Sequence, residues 1–154
     1  ANTRGAKLRI LLDPNKDAFG REKGGVPNRQ VAGELVKHAG QVVGGDTTVR
    51  WCDTHGEQCH SKLLLFKTKE GYSLIQGSAN LTKRNIGDFN LETNVLVASK
   101  DRIEAIVQAY QYFNTVWSNE EGKIYSTEYE TYKDERLTKY IQYRLMEGLG
   151  MSSF

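Results

Sequence analysis

"SKLLLFKTKEGYSLIQGSAN", residues 61–80, decides the fold. A short apolar run bounded by polar residues reads as a buried strand, and "SKLLLFKT" (61–68) is one. "KEG" (69–71) is a turn, and "YSLIQG" (72–77) is the next strand. The two strands with their short connection form a β-hairpin. The segment after them, "SANLTKRNIGDFN" (78–90), is polar and Asn-rich, with room for one helical turn. "LETNVLVA" (91–98) is then a further strand.

Outward from this hairpin, "KLRILLDP" (7–14) is a buried strand ended by Pro14. "NKDAFGREKGGVPN" (15–28) is a long loop rich in Gly, Pro and charge, of a length often put to use. Asn28 is the expected N-cap of a helix over 29–40, with Val31, Leu35 and Val36 inward and Gly40 at its end. "TTVRWCDT" (47–54) is another strand. "DRIEAIVQAYQYFNTVWSN" (101–119) carries a capping-box pattern at Asp101 and Glu104. Its apolar stripe is Ile103, Ile106, Val107, Tyr110, Phe113, Val116 and Trp117, so it is a helix. The order β, α, β, β, β, β, α gives an α/β class, a mixed β-sheet flanked by helices. Residues 120–154 change character. They are aromatic and charged, helical around 134–147, and expected to pack on the core as an extension of a domain spanning 1–119.

The chain of 154 residues is one domain's worth, and its 38% apolar and 26% charged content is ordinary for a globular protein. A net charge of +2 argues neither for nucleic acid nor for an anionic membrane; only local patches can carry that claim. The longest clean apolar run is Leu63–Phe66, far short of the ~20 residues of a spanning helix. No signal peptide is visible. The start at Ala1 suggests a processed piece, so the compartment stays open, with a membrane surface or export both compatible.

Cys52 and Cys59 flank "CDTHGEQC", a turn with His55-Gly56 at its tip. Free buried thiols come first in this reading, a disulfide across the turn second, and zinc third, because the Cys/His spacing fits no common zinc module. His55 reads as a turn residue and His38 as surface near a helix C-terminus.

The chemistry gathers at 60–92. His60 and Lys62 are two apart, so on a strand they project from one face. An imidazole beside a fixed positive charge suits a phosphate. Lys62 holds anionic oxygens, while His60 attacks phosphorus or protonates the leaving oxygen. "GSAN" (77–80) places Ser78 and Asn80 as hydroxyl and amide donors to the same oxyanion. Glu92, at the start of the next strand, can orient an imidazole.

His-x-Lys, then Gly-Ser-x-Asn at hairpin spacing, then an acid on the next strand resembles the phospholipase D superfamily. The residues that match are His60, Lys62, Gly77, Ser78, Asn80 and Glu92. With its flanks, "LRILLDPN" and "YQYFNTVW", the likeness covers roughly 5–118. It implies a phospholipase D-like layered α-β-α half-domain. It implies a phosphodiesterase or phosphatidyltransferase working through a phosphohistidine, without metal or other cofactor. His60, Lys62 and Glu92 are then catalytic, and Lys62, Ser78 and Asn80 bind the phosphate. His60 is general acid first and nucleophile second. The resemblance also implies a partner: a second His-x-Lys from an N-terminal half-domain or a homodimer mate. The half would lack its first strand and helix, with "ANTRGAK" as the tail of that helix. One position departs: the family's acid five residues beyond the lysine falls on Lys67. Glu70 and Asp53 are the candidates to replace it. Phospholipid is the leading substrate class. A nuclease of the same superfamily and a non-catalytic phosphate-headgroup binder are the alternatives.

Overall fold

The computed structural model describes residues 5–18, 21–22, 24–41, 46–87 and 91–149. Along the chain run β1 (Lys7–Leu12), β2 (Asp17–Ala18), β3 (Arg21–Glu22), α1 (Asn28–Gly40), β4 (Asp46–Cys52), β5 (Leu63–Lys67), β6 (Tyr72–Gly77), α2 (Lys83–Ile86), β7 (Asn94–Ser99), α3 (Glu104–Ser118), β8 (Ser126–Glu128) and α4 (Leu137–Gly148).

The class is α/β, as the sequence indicates, with its strands divided between two main sheets. In the first, β1 pairs parallel with β4, and β4 pairs antiparallel with β8, which makes this sheet mixed. In the second, β5, β6 and β7 form an antiparallel meander. The expected strand over 47–54 ends at Cys52, and the strand expected from residue 61 starts at Leu63. Residues 53–62 between them are irregular.

Strand alternation sends Ile10, Leu12, Val49 and Trp51 toward α1, where Ala32, Leu35 and Val36 meet them. Trp51 is fully buried; its indole N–H donates to the Tyr129 carbonyl at 2.7 Å, and its ring stacks on Tyr129. The opposite face of this sheet carries Arg9 and Arg50. Their guanidinium groups lie over aromatic rings of α3: Arg9 at 5.0 Å from Phe113 and Arg50 at 5.8 Å from Trp117. Such contacts cover apolar rings with a delocalised cation. Helix α3 also reaches the second sheet, where Tyr110 meets Tyr72 edge-on. Ile106, from the expected stripe, is fully buried, whereas Ile103 is 41% exposed.

Several boundaries differ for local reasons. The N-cap position of α3 is Ile103, with no side-chain cap, so the Asp101–Glu104 capping box does not form. The backbone N–H of Asp101 instead donates to the Ser99 hydroxyl, closing a turn after β7. Asn28 is the first residue of α1 rather than its cap; its amide donates to the carbonyl of Asp13 and to the side chain of Asn15. The long loop over 15–28 holds the small β2–β3 hairpin. The expected helix tail at 1–7 lies partly outside the described residues, and within them Lys7 already belongs to β1.

Beyond α3, Asn119 takes a left-handed conformation and its side-chain oxygen accepts the backbone N–H groups of Tyr125 and Ser126. This turn delivers β8 to the edge of β4. Helix α4 then docks on α1 through Tyr140 and Tyr143, whose hydroxyls donate to the Glu34 carboxylate. Among the described residues no helix is long and apolar enough to cross a membrane.

The entry to α4 is acid-sensitive. Asp134 is nearly buried and accepts from the Arg136 side chain and backbone, which holds its carboxyl down at about 2 from an ordinary 3.8. A depressed folded-state value means stability that is full above the unfolded value and lost as pH falls through the folded one. Asp134→Asn should therefore lower the thermal unfolding midpoint at pH 7, and the gap from the parent should close as pH falls from about 4 to about 2. Thermal scans by circular dichroism check this; an equal gap at pH 7 and pH 2 would contradict it.

Candidate active site

The site is built at the mouth of the β5–β6–β7 meander. β5 pairs with β6 from Leu63↔Gln76 to Lys67↔Tyr72, and β6 pairs with β7 up to Gly77↔Asn94. The backbone N–H of Gly77 donates to the Lys62 carbonyl at 3.3 Å, which carries the ladder one rung past the end of β5. Lys62 therefore stands level with Gly77 and Asn94. A Cβ on Gly77 would fall 2.2 Å from the Thr93 carbonyl oxygen, so this rung requires glycine.

Lys62 is half-buried, and its ammonium donates to the His60 carbonyl at 2.8 Å. Burial pushes its pKa down, and the negative charge of Glu92 partly opposes that. His60 itself is exposed, in the irregular segment before β5. The pair is thus joined through the histidine backbone rather than projected from one regular strand.

Glu92 sits just before β7, not in it. Its two carboxylate oxygens are both held: the Ser78 hydroxyl donates to one at 2.5 Å, and the Asn85 amide donates to the other. Ser78 also accepts from the Thr93 backbone N–H at 3.0 Å. Asn85 is buried on α2, where its side-chain oxygen accepts from Thr82 at 2.7 Å and its backbone N–H donates back to that hydroxyl. Among the described residues no hydrogen bond joins Glu92 to the His60 ring. Asn80 is half-buried, two residues beyond Ser78 in the same turn.

The fold thus brings Lys62, Ser78 and Glu92 together, with His60 tied to Lys62. Asn85 and Thr82 join the site without having stood out in the sequence. Their signal was an Asn three residues after a Thr in the segment with room for one helical turn, which is what α2 is. Two neutral donors fix the Glu92 carboxylate in place, and its negative charge acts on the Lys62 ammonium at the hairpin mouth.

Neither candidate to replace the acid at residue 67 reaches His60. Asp53 lies 3.4 Å from the His55 ring, and Glu70 closes its own turn through Thr68. Lys67 is exposed at the far end of β5, opposite Tyr72. A different carboxylate touches the segment: Asp13, at the end of β1, accepts the Cys59 backbone N–H at 2.6 Å.

The cysteines correct the sequence expectation. Cys52 and Cys59 form a disulfide, with Cα atoms 6.2 Å apart. The end of β4 is buried against the segment that passes back beside it, which leaves the two sulfurs adjacent. Bonded to each other, they are neither free thiols nor thiolate ligands for zinc. Among the described residues, no group of three or more His, Cys, Asp or Glu side chains could hold a metal ion.

No curated protein matches this chain. Residues 1–117 match a protein family described as cardiolipin synthase, PLD-like domain. That match spans both sheets apart from β8, together with the His60–Lys62 pair, the Gly77–Asn80 turn and Glu92. The chain belongs to this family, and with it to the phospholipase D superfamily.

Proposed function

We propose that this chain is one half of a phospholipase D-like phosphodiesterase that cleaves or transfers phospholipid phosphodiesters through a phosphohistidine. The observation that carries the reading is the cluster at the hairpin mouth. Lys62 donates to the His60 carbonyl and feels the negative charge of Glu92, so one cation stands at the backbone of one exposed histidine. That supplies a phosphate clamp and a proton-transfer or nucleophilic group at one place.

The chemistry balances with two such imidazoles. One attacks phosphorus, forming a P–N bond as the P–O bond to the leaving alcohol breaks. The other gives its proton to that oxygen. Water or an acceptor alcohol then attacks phosphorus, the P–N bond breaks, and the proton returns. By analogy with the family His60 is the acid, and Lys62 neutralises the equatorial oxygens. Ser78 and Asn80 are the further donors to them, once Ser78 turns from Glu92 to substrate.

The second imidazole comes from a partner half or a second copy. A feature beside the site supports this. α3 covers the Leu74 face of the second sheet. On the other face, Leu64, Ile75 and Leu96 stand in one cross-strand row next to Phe66. Phe66 is 46% and Leu96 64% exposed. An apolar row that continues the side on which Lys62 lies is what a docked half would bury.

Trapping decides the matter. The assembled protein is given phosphorus-labelled phosphatidylglycerol and, in parallel, a labelled oligonucleotide. The expected result is acid-labile label on histidine and product from the phospholipid. Label and product from the oligonucleotide alone would replace the lipid reading with a nuclease; neither label nor product from either would leave a phosphate-binding domain. Residues 1–154 as a monomer should show no turnover.

A further inference from the structure

We propose that Asp13 is a positioning residue for His60, acting together with the Cys52–Cys59 disulfide; this rests on the phosphodiesterase reading above. The residue before the histidine is fastened twice. Its sulfur is bonded to the last residue of β4, and its backbone N–H donates to Asp13 Oδ2 at 2.6 Å. Cys59 has no strand partner of its own, since it lies in the irregular segment 53–62. These two ties fix the backbone on the N-terminal side of His60, while on its other side Lys62 is held by its rung with Gly77.

The anchor is itself rigid. Asp13 is 8% exposed, Asn15 1%, and Pro14 is fully buried. Asp13 Oδ1 accepts the Asn15 backbone N–H at 2.7 Å. The Asn15 amide donates to the Val26 carbonyl, and the Asn28 amide to the Asp13 carbonyl, both at 2.9 Å. Arg29 Nε donates to the Pro14 carbonyl at 2.8 Å. A buried polar knot with its groups satisfied is stiff, and it gives a unique geometry to what it holds. The knot sits on the end of β1, which runs parallel to β4, so the two ties reach Cys59 from adjacent strand ends.

Asp13 thereby supplies to the His-x-Lys segment the carboxylate that residue 67 does not. It acts on the backbone, from another strand, and not on the imidazole. A shift of the order of 1 Å in a catalytic group can cost roughly a hundredfold in rate, so the ties should act on kcat more than on KM.

The experiment uses the assembled protein and four forms: parent, Asp13→Ala, Asp13→Asn, and Cys52→Ser/Cys59→Ser. Circular dichroism sets an assay temperature at which each is folded. kcat and KM are measured on phosphatidylglycerol vesicles. NMR records the His60 ring resonances, with the Cys59 amide exchange rate for the parent and Asp13 variants. Asp13→Ala should lower kcat about 10- to 100-fold, with KM within about twofold. Asp13→Asn, which keeps one acceptor oxygen, should fall between it and the parent. The serine pair should also lose rate. The His60 ring should go from one sharp resonance set to broadened or multiple ones in Asp13→Ala and the serine pair, with faster Cys59 exchange in Asp13→Ala. If folded Asp13→Ala keeps the parent kcat, or if His60 keeps one sharp set, the inference is wrong and the phosphodiesterase reading stands. If the parent has no turnover, that reading fails, and the NMR comparison still decides whether Asp13 positions His60.

Discussion

His60→Ala should abolish most turnover, lowering kcat by about 10²–10⁴-fold, while the protein unfolds at an unchanged midpoint. Both halves of this expectation come from the same setting. His60 is exposed in an irregular segment, and Lys62 uses its backbone carbonyl, which alanine keeps. Truncating an exposed ring leaves no cavity and removes no buried partner, and substitutions of that kind usually change stability by less than about 0.5 kcal/mol. The rate loss reflects the absent proton transfer or the absent nucleophile, and the lower bound suits the acid role. Steady-state kinetics on phospholipid vesicles beside a thermal melt gives both numbers. Activity within about threefold of the parent would remove His60 from the chemistry, even with the family unchanged.

Trp51→Ala carries the largest expected loss of stability, about 3–5 kcal/mol. Trp51 is fully buried between α1 and the aromatic segment after β8, and its ring meets both Tyr129 and Tyr132. Removing it opens a cavity bounded by β4 and α1. It also leaves the Tyr129 carbonyl without its indole donor. Trp51→Phe weighs the two effects against each other, because it removes the N–H and the five-membered ring but keeps a six-membered ring in the core. Its cost should be the smaller, with about 1–3 kcal/mol for the unpaired carbonyl. Urea titrations give both values. A loss below about 1 kcal/mol for Trp51→Ala would show that the aromatic segment closes over the gap. Since a domain of this kind has about 5–15 kcal/mol in all, the expected loss is a large share of it.

The sequence made the local elements legible where period and punctuation agree. The strand over 72–77 is found with its bounds, since Gly71 and the polar turn after Gly77 stop it on both sides. The hairpin partner and the helices near 29–40 and 101–119 are found within a few residues. Boundaries moved where a polar side chain had two uses. Asn28 fits an N-cap by type, yet its amide serves the Asp13 knot. Asp101 fits a capping box, yet its backbone closes a turn on Ser99. β8 was not legible, because "STE" has three residues and no apolar period. Its pairing depends on the Asn119 turn and on the open edge of β4.

Of the candidate site, the sequence by itself determined the chemical groups: an imidazole, an ammonium, a hydroxyl, an amide and a carboxylate at spacings that resemble one superfamily. These come from residue type and from the two-residue period of a strand, which need no knowledge of distant contacts. The tertiary structure decided who touches whom. Glu92 spends its oxygens on Ser78 and Asn85, and it faces Lys62. Asp13, forty-six residues before Cys59, holds the histidine's segment, and Cys52 with Cys59 is a disulfide rather than two thiols. Each of these depends on where separate strands end in space. Strand ends are set by the packing of two sheets around α3 and α1, which no local pattern in the chain encodes.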